Sequence, residues 1–344
     1  MTRLIYVLAL LTTCSCSKIN NKPIQIEIEK KFEVRLSEKQ VIIGNIFQCI
    51  ATNDSHLVIL DIEASDIKQF DFNGNYVTTL VRRGDSPSEL LAPRGFGLND
   101  RLLLVADFAT NSTKVFNRKG EYVNNIFPDG YSVVMGNIRL LKNGNILHGA
   151  SSDTRGYVLA GAIIDTNGKF LEKCAEYPSV YRDYKRLIGI YYCDANSLGD
   201  YVISFAKSPD LYLGSTRDKS GFLKKFDEKL PKYISDKRLK DGENALKVEY
   251  DEFINLCIYY VSDSLIVRGY GKTTPEAEQS KSFLLFSEKK VEFFNQQGEF
   301  ISEVNVQGRL LGTYNNYLIF EEDDTPNNRI IGFYKFTLKR NNSI

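Results

Sequence analysis

"FDFNGNYVTTL", Phe70 to Leu80, reads as a strand, a tight turn and a second strand. Its glycine is answered 46 residues later, in "VFNRKGEYVNNI", Val115 to Ile126. Aligning the two copies outward sets Asp61 on Asp107, Phe70 on Phe116, Gly74 on Gly120 and Val77 on Val123. Fainter copies surround Gly168 ("IIDTNGKFLEK"), Gly221 ("DKSGFLKKF") and Gly298 ("FFNQQGEFISEV"), at gaps of 48, 53 and 77 residues. Self-similarity at such a period marks repeat architectures. The unit is an apolar strand ending in Asp, a polar turn, a second strand, a Gly turn, and a third strand opening on an aromatic.

Each part has a physical task. Gly supplies the positive φ of a tight hairpin turn, and the aromatic after it starts the next strand and packs on a neighbouring sheet. Asp61 and Asp107 close their strands, where a carboxylate accepts from the amides of the following turn. Both aspartates therefore read as structural, as do the turn glycines Gly74, Gly120, Gly168 and Gly298. A blade of about 40 to 50 residues cannot bury both of its faces, so blades stack around an axis into a ring. The predicted fold class is all-β, a six-bladed β-propeller, with seven blades as the alternative count. Blades are expected near 38–82, 90–128, 134–176, 186–226, 250–303 and 305–340. The alternating "IQIEIEKKFEVRL", Ile24 to Leu36, is placed to pair with the last blade and close the ring with strands from both ends.

Composition agrees with a soluble globular chain of 344 residues, 43% hydrophobic and 25% charged. Tyr (20) and Phe (21) without Trp suit strands. A net charge of +1 gives no electrostatic reason for a nucleic-acid partner. Cys49, Cys174, Cys193 and Cys257 show no metal-ligand rhythm. Cys174 and Cys193 are the nearest pair in sequence should a disulfide form, and the default is four buried small hydrophobes.

"MTRLIYVLALLTTCSCSKINNK" has the form of an export signal, with Arg3 before the apolar run Leu4 to Leu11. That run is too short to span a bilayer, which takes about 20 residues. Small residues and then cysteine follow, a pattern that resembles a bacterial lipobox. Cys16, preceded by Ser15, is the expected lipidation site, with Cys14 as the alternative. Residues 1–16 are then the lipoprotein signal, 17–23 a polar tether, and 24–344 the propeller, with a charged insertion near 215–250.

"LLLVADFATNSTKVFNRKGEYV" resembles an NHL-type propeller repeat, and "RRGDSPSELLAP", Arg82 to Pro93, resembles a loop of TolB-like six-bladed propeller lipoproteins from Gram-negative gut anaerobes. Gly84, Pro87, Glu89, Leu90 and Pro93 match that loop, whereas Ser86 and Ser88 stand where it carries glycines. The resemblance implies the fold and a lipid anchor, and little chemistry.

Several stretches are candidates for function. Arg83 and Asp85 flank Gly84 in "RGDSP", the context by which host adhesion proteins engage integrins, although the loop pattern already accounts for Gly84 and Pro87. "EYPSVYRDYKRLIGIYYCD", Glu176 to Asp194, offers Tyr181, Arg182 and Tyr184 as a platform for sugars or peptides. The insertion Ser215 to Tyr250 holds ten Lys/Arg against seven Asp/Glu, and a short helix is placed between Pro231 and Gly242. "EEDDTPNNR", Glu321 to Arg329, gathers carboxylates but lacks calcium-loop spacing and reads as a hairpin tip. His56 and His148 are the only histidines, and no catalytic motif is present.

The reading expected is a lipid-anchored binding or scaffolding module of the cell envelope, periplasmic or on the outer-membrane surface. It would present loops to a glycan, peptide or envelope-protein partner. It is expected as a monomer, with no cofactor, metal, nucleic acid or catalytic residue, touching the membrane through its N-terminal lipid only. The alternative is a lactonase-like or glycan-cleaving propeller hydrolase or lyase with its active site at the channel mouth.

Overall fold

A computed structural model describes residues 24–127, 132–133, 137–151, 159–178, 191–226, 253–280 and 282–340. The signal, the tether, Cys14 and Cys16 lie outside these residues, as do Tyr181, Arg182, Tyr184 and the helix placed between 231 and 242.

The chain forms six antiparallel sheets in a ring, a six-bladed β-propeller. Blade one is β2 (Ile46–Ala51), β3 (His56–Asp61), β4 (Asp66–Asp71) and β5 (Tyr76–Val81). Blade two is β6 (Pro93–Leu98), β7 (Leu102–Asp107), β8 (Ser112–Asn117) and β9 (Tyr122–Ile126). Blade three splits its innermost strand into β10 (Ser132–Val133) and β11 (Arg139–Leu140), both against β12 (Ile146–Ser151), followed by β13 (Leu159–Ile164) and β14 (Phe170–Glu176). Blade four is β15 (Tyr191–Ala195), β16 (Asp200–Phe205), β17 (Leu211–Ser215) and β18 (Ser220–Lys224). Blade five is β19 (Phe253–Ser262), β20 (Leu265–Lys272), β21 (Ser287–Asn295) and β22 (Phe300–Asn305). Between β20 and β21 lies a short helix, α1 (Pro275–Ser280), which the sequence reading missed.

Blade six takes β23 (Arg309–Tyr314), β24 (Tyr317–Asp323) and β25 (Arg329–Arg340) from one end of the chain and its outermost strand, β1 (Ile24–Leu36), from the other. β1 runs antiparallel to β25 from Ile24–Arg340 to Leu36–Arg329, with one bulge between Lys30 and Phe32. Phe32 stacks on Phe333 across the seam at 4.3 Å. Arg329 locks the far end: Nη2 donates to the carbonyls of Ile43 and Gly44, and Nε donates to Glu38 at 3.3 Å. The innermost strands neighbour one another in a closed circuit β2, β6, β11, β15, β19, β23 and back to β2.

Side chains explain why the ring forms. In blades one and two the second strand has both faces covered, so it reads as a continuous apolar run ("HLVILD", "LLLVAD"). Leu57 and Ile59 enter the layer shared with blade six, and Val58 and Leu60 the layer shared with blade two. The same alternation sends Leu103 and Val105 back to blade one and Leu104 on to blade three. Each of the six apolar clusters belongs to one interface between adjacent blades. Each fully buried aliphatic or aromatic side chain there contributes about 1.5–3 kcal/mol. Cys49, Cys174, Cys193 and Cys257 are buried in these layers as free thiols.

The turn glycines do more than turn. Gly74, Gly120, Gly168 and Gly298 have φ of 83°, 81°, 84° and 71°. A Cβ on Gly74 would stand 1.8 Å from the Arg35 carbonyl oxygen, and one on Gly120 2.0 Å from that of Leu80. Both carbonyls belong to the outermost strand of the preceding blade, so hydrogen there lets one blade touch the next. Asp or Asn three residues earlier holds the turn: Asp71 Oδ1 accepts from the amides of Asn73 and Asn75 at 2.9 and 2.8 Å, and Asn117, Asp165 and Asn295 repeat the pattern. The aromatic two residues after Gly meets first a Phe across its own sheet, in T-shaped pairs Phe70–Tyr76, Phe116–Tyr122 and Phe294–Phe300 near 6 Å.

Blade four breaks the pattern. Gly221 is not the turn glycine of the sequence reading. It lies within β18 opposite Gly214, and Lys219 takes the left-handed position at φ 54°. The charged insertion therefore begins as regular blade structure up to Lys224.

Candidate functional site

Polar side chains on the innermost strands tie neighbouring blades together. Gln48 on β2 donates to the Phe96 carbonyl at 2.9 Å and accepts the Phe96 N–H at 3.0 Å, joining the first two blades. Arg139 on β11 donates to Asp194 Oδ1 at 2.5 Å and to the Phe96 carbonyl at 3.3 Å. The other Asp194 oxygen accepts the Tyr260 N–H at 2.7 Å. Arg309 on β23 faces Glu321 at 2.8 Å and donates to the Ile46 carbonyl. Burial pushes the Glu321 carboxyl up, against the pull of Arg309. A buried ion pair is held by geometry and extra hydrogen bonds, and these side chains have both.

Asp61 and Asp107 form one repeated clasp. Asp61 accepts the N–H of Gly44 at 2.7 Å and of Asn45 at 3.0 Å, and pairs with buried Lys68 at 2.8 Å. Asp107 accepts from Leu91 and Ala92, both at 3.0 Å, with Lys114 at 3.6 Å. Each carboxylate thus fastens the chain arriving from the preceding blade. Burial alone would raise the Asp61 carboxyl, but Lys68 and the backbone amides hold it below its ordinary value. Lys114 also donates to the carbonyls of Ser86 and Glu89, beneath the "RGDSP" loop. Arg83 and Asp85 are exposed on that loop, whose neck is closed by Leu90 N–H to Arg82 O at 2.9 Å.

The carboxylates of "EEDDTPNNR" separate: Glu321 joins the central arginines, Asp323 caps Thr325, and Asp324 accepts from Ser282. Among the described residues no three His, Cys, Asp or Glu side chains gather as metal ligands. His148 bridges blades two and three, with Nδ1 donating to Gly149 O at 2.6 Å and Nε2 accepting from Thr113 Oγ1 at 2.8 Å. Burial pushes its pKa down to about 4. His56 lies beside Asp54 at 3.3 Å.

Among the described residues, open clefts of mixed polarity lie between blades one and two and between blades four and five, along the turns that follow the first and third strands. The first, of about 480 Å³, is lined by Thr52, Asn53, Asp54, Asn99, Asp100 and Arg118, with no aromatic ring. The second, of about 550 Å³, is lined by Asp200, Arg217, Phe222, Tyr260, Gln296 and Gln297 among others. In it Arg217 donates to Asp200 at 2.6 Å, and Asp218 accepts from the hydroxyl and amide of Ser220. Ser215, Arg217, Asp218, Ser220 and Phe222 fall in the charged insertion near 215–250 that the sequence offers as a candidate stretch, whereas the other lining residues carry no functional signal there. The displaced glycine of "DKSGFLKKF" further marks that turn as unlike the others.

No family model matches the chain, and no curated protein matches it. Among solved structures it is similar to a member of the DUF4221 family from Bacteroides vulgatus, at TM-score 0.65 and 15% identity over 93% of this chain and 99% of that one. It is also similar to a Bacteroides fragilis protein whose name gives export as an expectation, at TM-score 0.60 and 14% identity over 91% and 95%. A streptogramin B lyase follows at TM-score 0.50 and 10% identity over 91% and 98%. At these identities the likeness is one of fold.

Proposed function

We propose that the protein is an exported, lipid-anchored binding or scaffolding module that presents the surface of a rigid ring to a glycan, peptide or envelope-protein partner. One observation carries this reading. On the innermost strands Arg139 and Asp194 pair with each other and with backbone groups, and Arg309 pairs with Glu321 of β24 and with the Ile46 carbonyl, while polar groups at the turns line open clefts between blades. A rigid scaffold with its variable chemistry at turns and loops is how many binding proteins are built. Export and anchoring rest on the amino-terminal residues through Cys16, with Cys14 as the alternative. The exposed Arg83 and Asp85, and the stretch with Tyr181, Arg182 and Tyr184, remain proposed contact residues.

The test is capture by the full chain, purified in detergent, against panels of glycans, synthetic peptides and fractionated envelope proteins. Saturable binding without chemical change of the ligand is the expected result. Turnover of a lactone or glycan would replace the reading with the hydrolase or lyase alternative. In parallel, labelled palmitate should enter the wild-type protein and be lost in Cys16→Ala, and label retained in a Cys14→Ala/Cys16→Ala double variant would overturn the anchor.

A further inference from the structure

We propose that the cleft between blades four and five binds a neutral saccharide, with Phe222 as the platform under a sugar ring. This deepens the binding-module reading and rests on it.

The argument starts from the turn that blade four makes differently. In blades one, two and five the outer-strand aromatic pairs across the sheet with a Phe in the layer shared with the preceding blade. In blade four the left-handed residue is Lys219, and Phe222 stands opposite Leu213. Leu213 belongs to the layer shared with blade five. Residues directly opposite in a sheet project from the same face, and a one-residue slip reverses that face. Phe222 is thereby turned toward blade five and left 51% exposed. No aromatic partner covers it among the described residues.

Blade five brings the polar half of the site. Its turn packs so closely that a Cβ on Gly298 would stand 2.5 Å from Leu213 Cδ1. Gln296 and Gln297, exposed on that turn, line the same cleft as Phe222 and Tyr260. Their side-chain amides make no hydrogen bond within the described residues. Each offers both donors and an acceptor, as a sugar hydroxyl requires. The apolar C–H face of a sugar ring suits a half-exposed aromatic ring, and the volume falls in the range of about 300–1,000 Å³ typical of small-molecule sites. Charge narrows the class further. Asp200 and Arg217 neutralise each other, so Asp218 leaves the cleft slightly negative and acidic sugars are disfavoured. The cleft between blades one and two has the same setting and no ring, so it lacks the platform.

The experiment is titration of the detergent-purified full chain with neutral oligosaccharides of glucose, mannose, galactose, xylose and N-acetylglucosamine, followed by calorimetry. At least one set should bind. Phe222→Ala should weaken it by about tenfold or more and Gln296→Ala/Gln297→Ala by several-fold, while Lys31→Ala, at an exposed position of β1, leaves it unchanged. A uronic-acid version of the bound sugar should bind more weakly. Binding retained in Phe222→Ala, at an unchanged melting temperature, would overturn the site. If no saccharide binds below about 10 mM yet a peptide or envelope protein does, the saccharide proposal fails and the module reading stands. If nothing of any class binds, both fail.

Discussion

A turn glycine in this protein answers two demands at once, and substitution can separate them. Gly144 has φ 85° with open space where a Cβ would go, whereas Gly120 has φ 81° and the Leu80 carbonyl at 2.0 Å. Gly144→Ala should therefore cost only the left-handed strain, about 1–2 kcal/mol. Gly120→Ala should cost at least twice that, because it also pushes two blades apart; denaturant titration of both variants measures the difference. His148 gives a pH dependence. Its folded pKa of about 4 lies below the ordinary 6.5, so the unfolded chain takes up the proton first. Stability should thus fall as pH drops from about 6.5 to 4, by roughly 3 kcal/mol for this group. His148→Gln should flatten that part of the profile. The repeated Gly and Asp were legible in sequence because both recur at one spacing. What the glycine touches was not, since Arg35 and Leu80 lie in other blades.

Among elements, β1 has the most consequence. Its alternation was plain in "IQIEIEKKFEVRL", and so was its role as partner to the last blade. It supplies Val34 and Leu36 to the layer between blades six and one, and Ile26 to that between blades five and six. Deleting residues 24–36 should uncover those layers and the edge of β25, giving a chain that aggregates. Size-exclusion chromatography and a thermal melt check this; a monomer melting within about 5 °C of the intact protein would contradict it. α1 was invisible in sequence because "PEAEQS" is six residues long with no apolar stripe to read. The face shown by Phe222 was hidden for another reason. It depends on whether Lys219 or Gly221 makes the turn, and both fit the letters "RDKSGF".

For the molecule as a whole, six interfaces follow from six blades, and the repeat made that count readable. Seven blades would have needed a further sheet, and β1 instead completes the sixth. The clefts were not readable, because each is assembled from turns in two blades that only ring closure brings together. Cys49, Cys193 and Cys257 lie inside the inter-blade layers, where burial pushes their thiols up to about 12. A thiolate-selective alkylating reagent should leave these three and Cys174 unlabelled in native protein at pH 8 and modify all four in denaturant. Mass spectrometry after a short exposure reads the result, and native labelling of any one would mean that its interface opens.

The seam between β1 and β25 also sets how the ring responds to force. Ile24 sits opposite Arg340, so both ends of the chain leave from the same end of one strand pair. A load applied between the termini would peel that pair rung by rung, starting at its mouth, without shearing all its hydrogen bonds together. In an optical trap the ring should open at low force, with blade six detaching ahead of the other five.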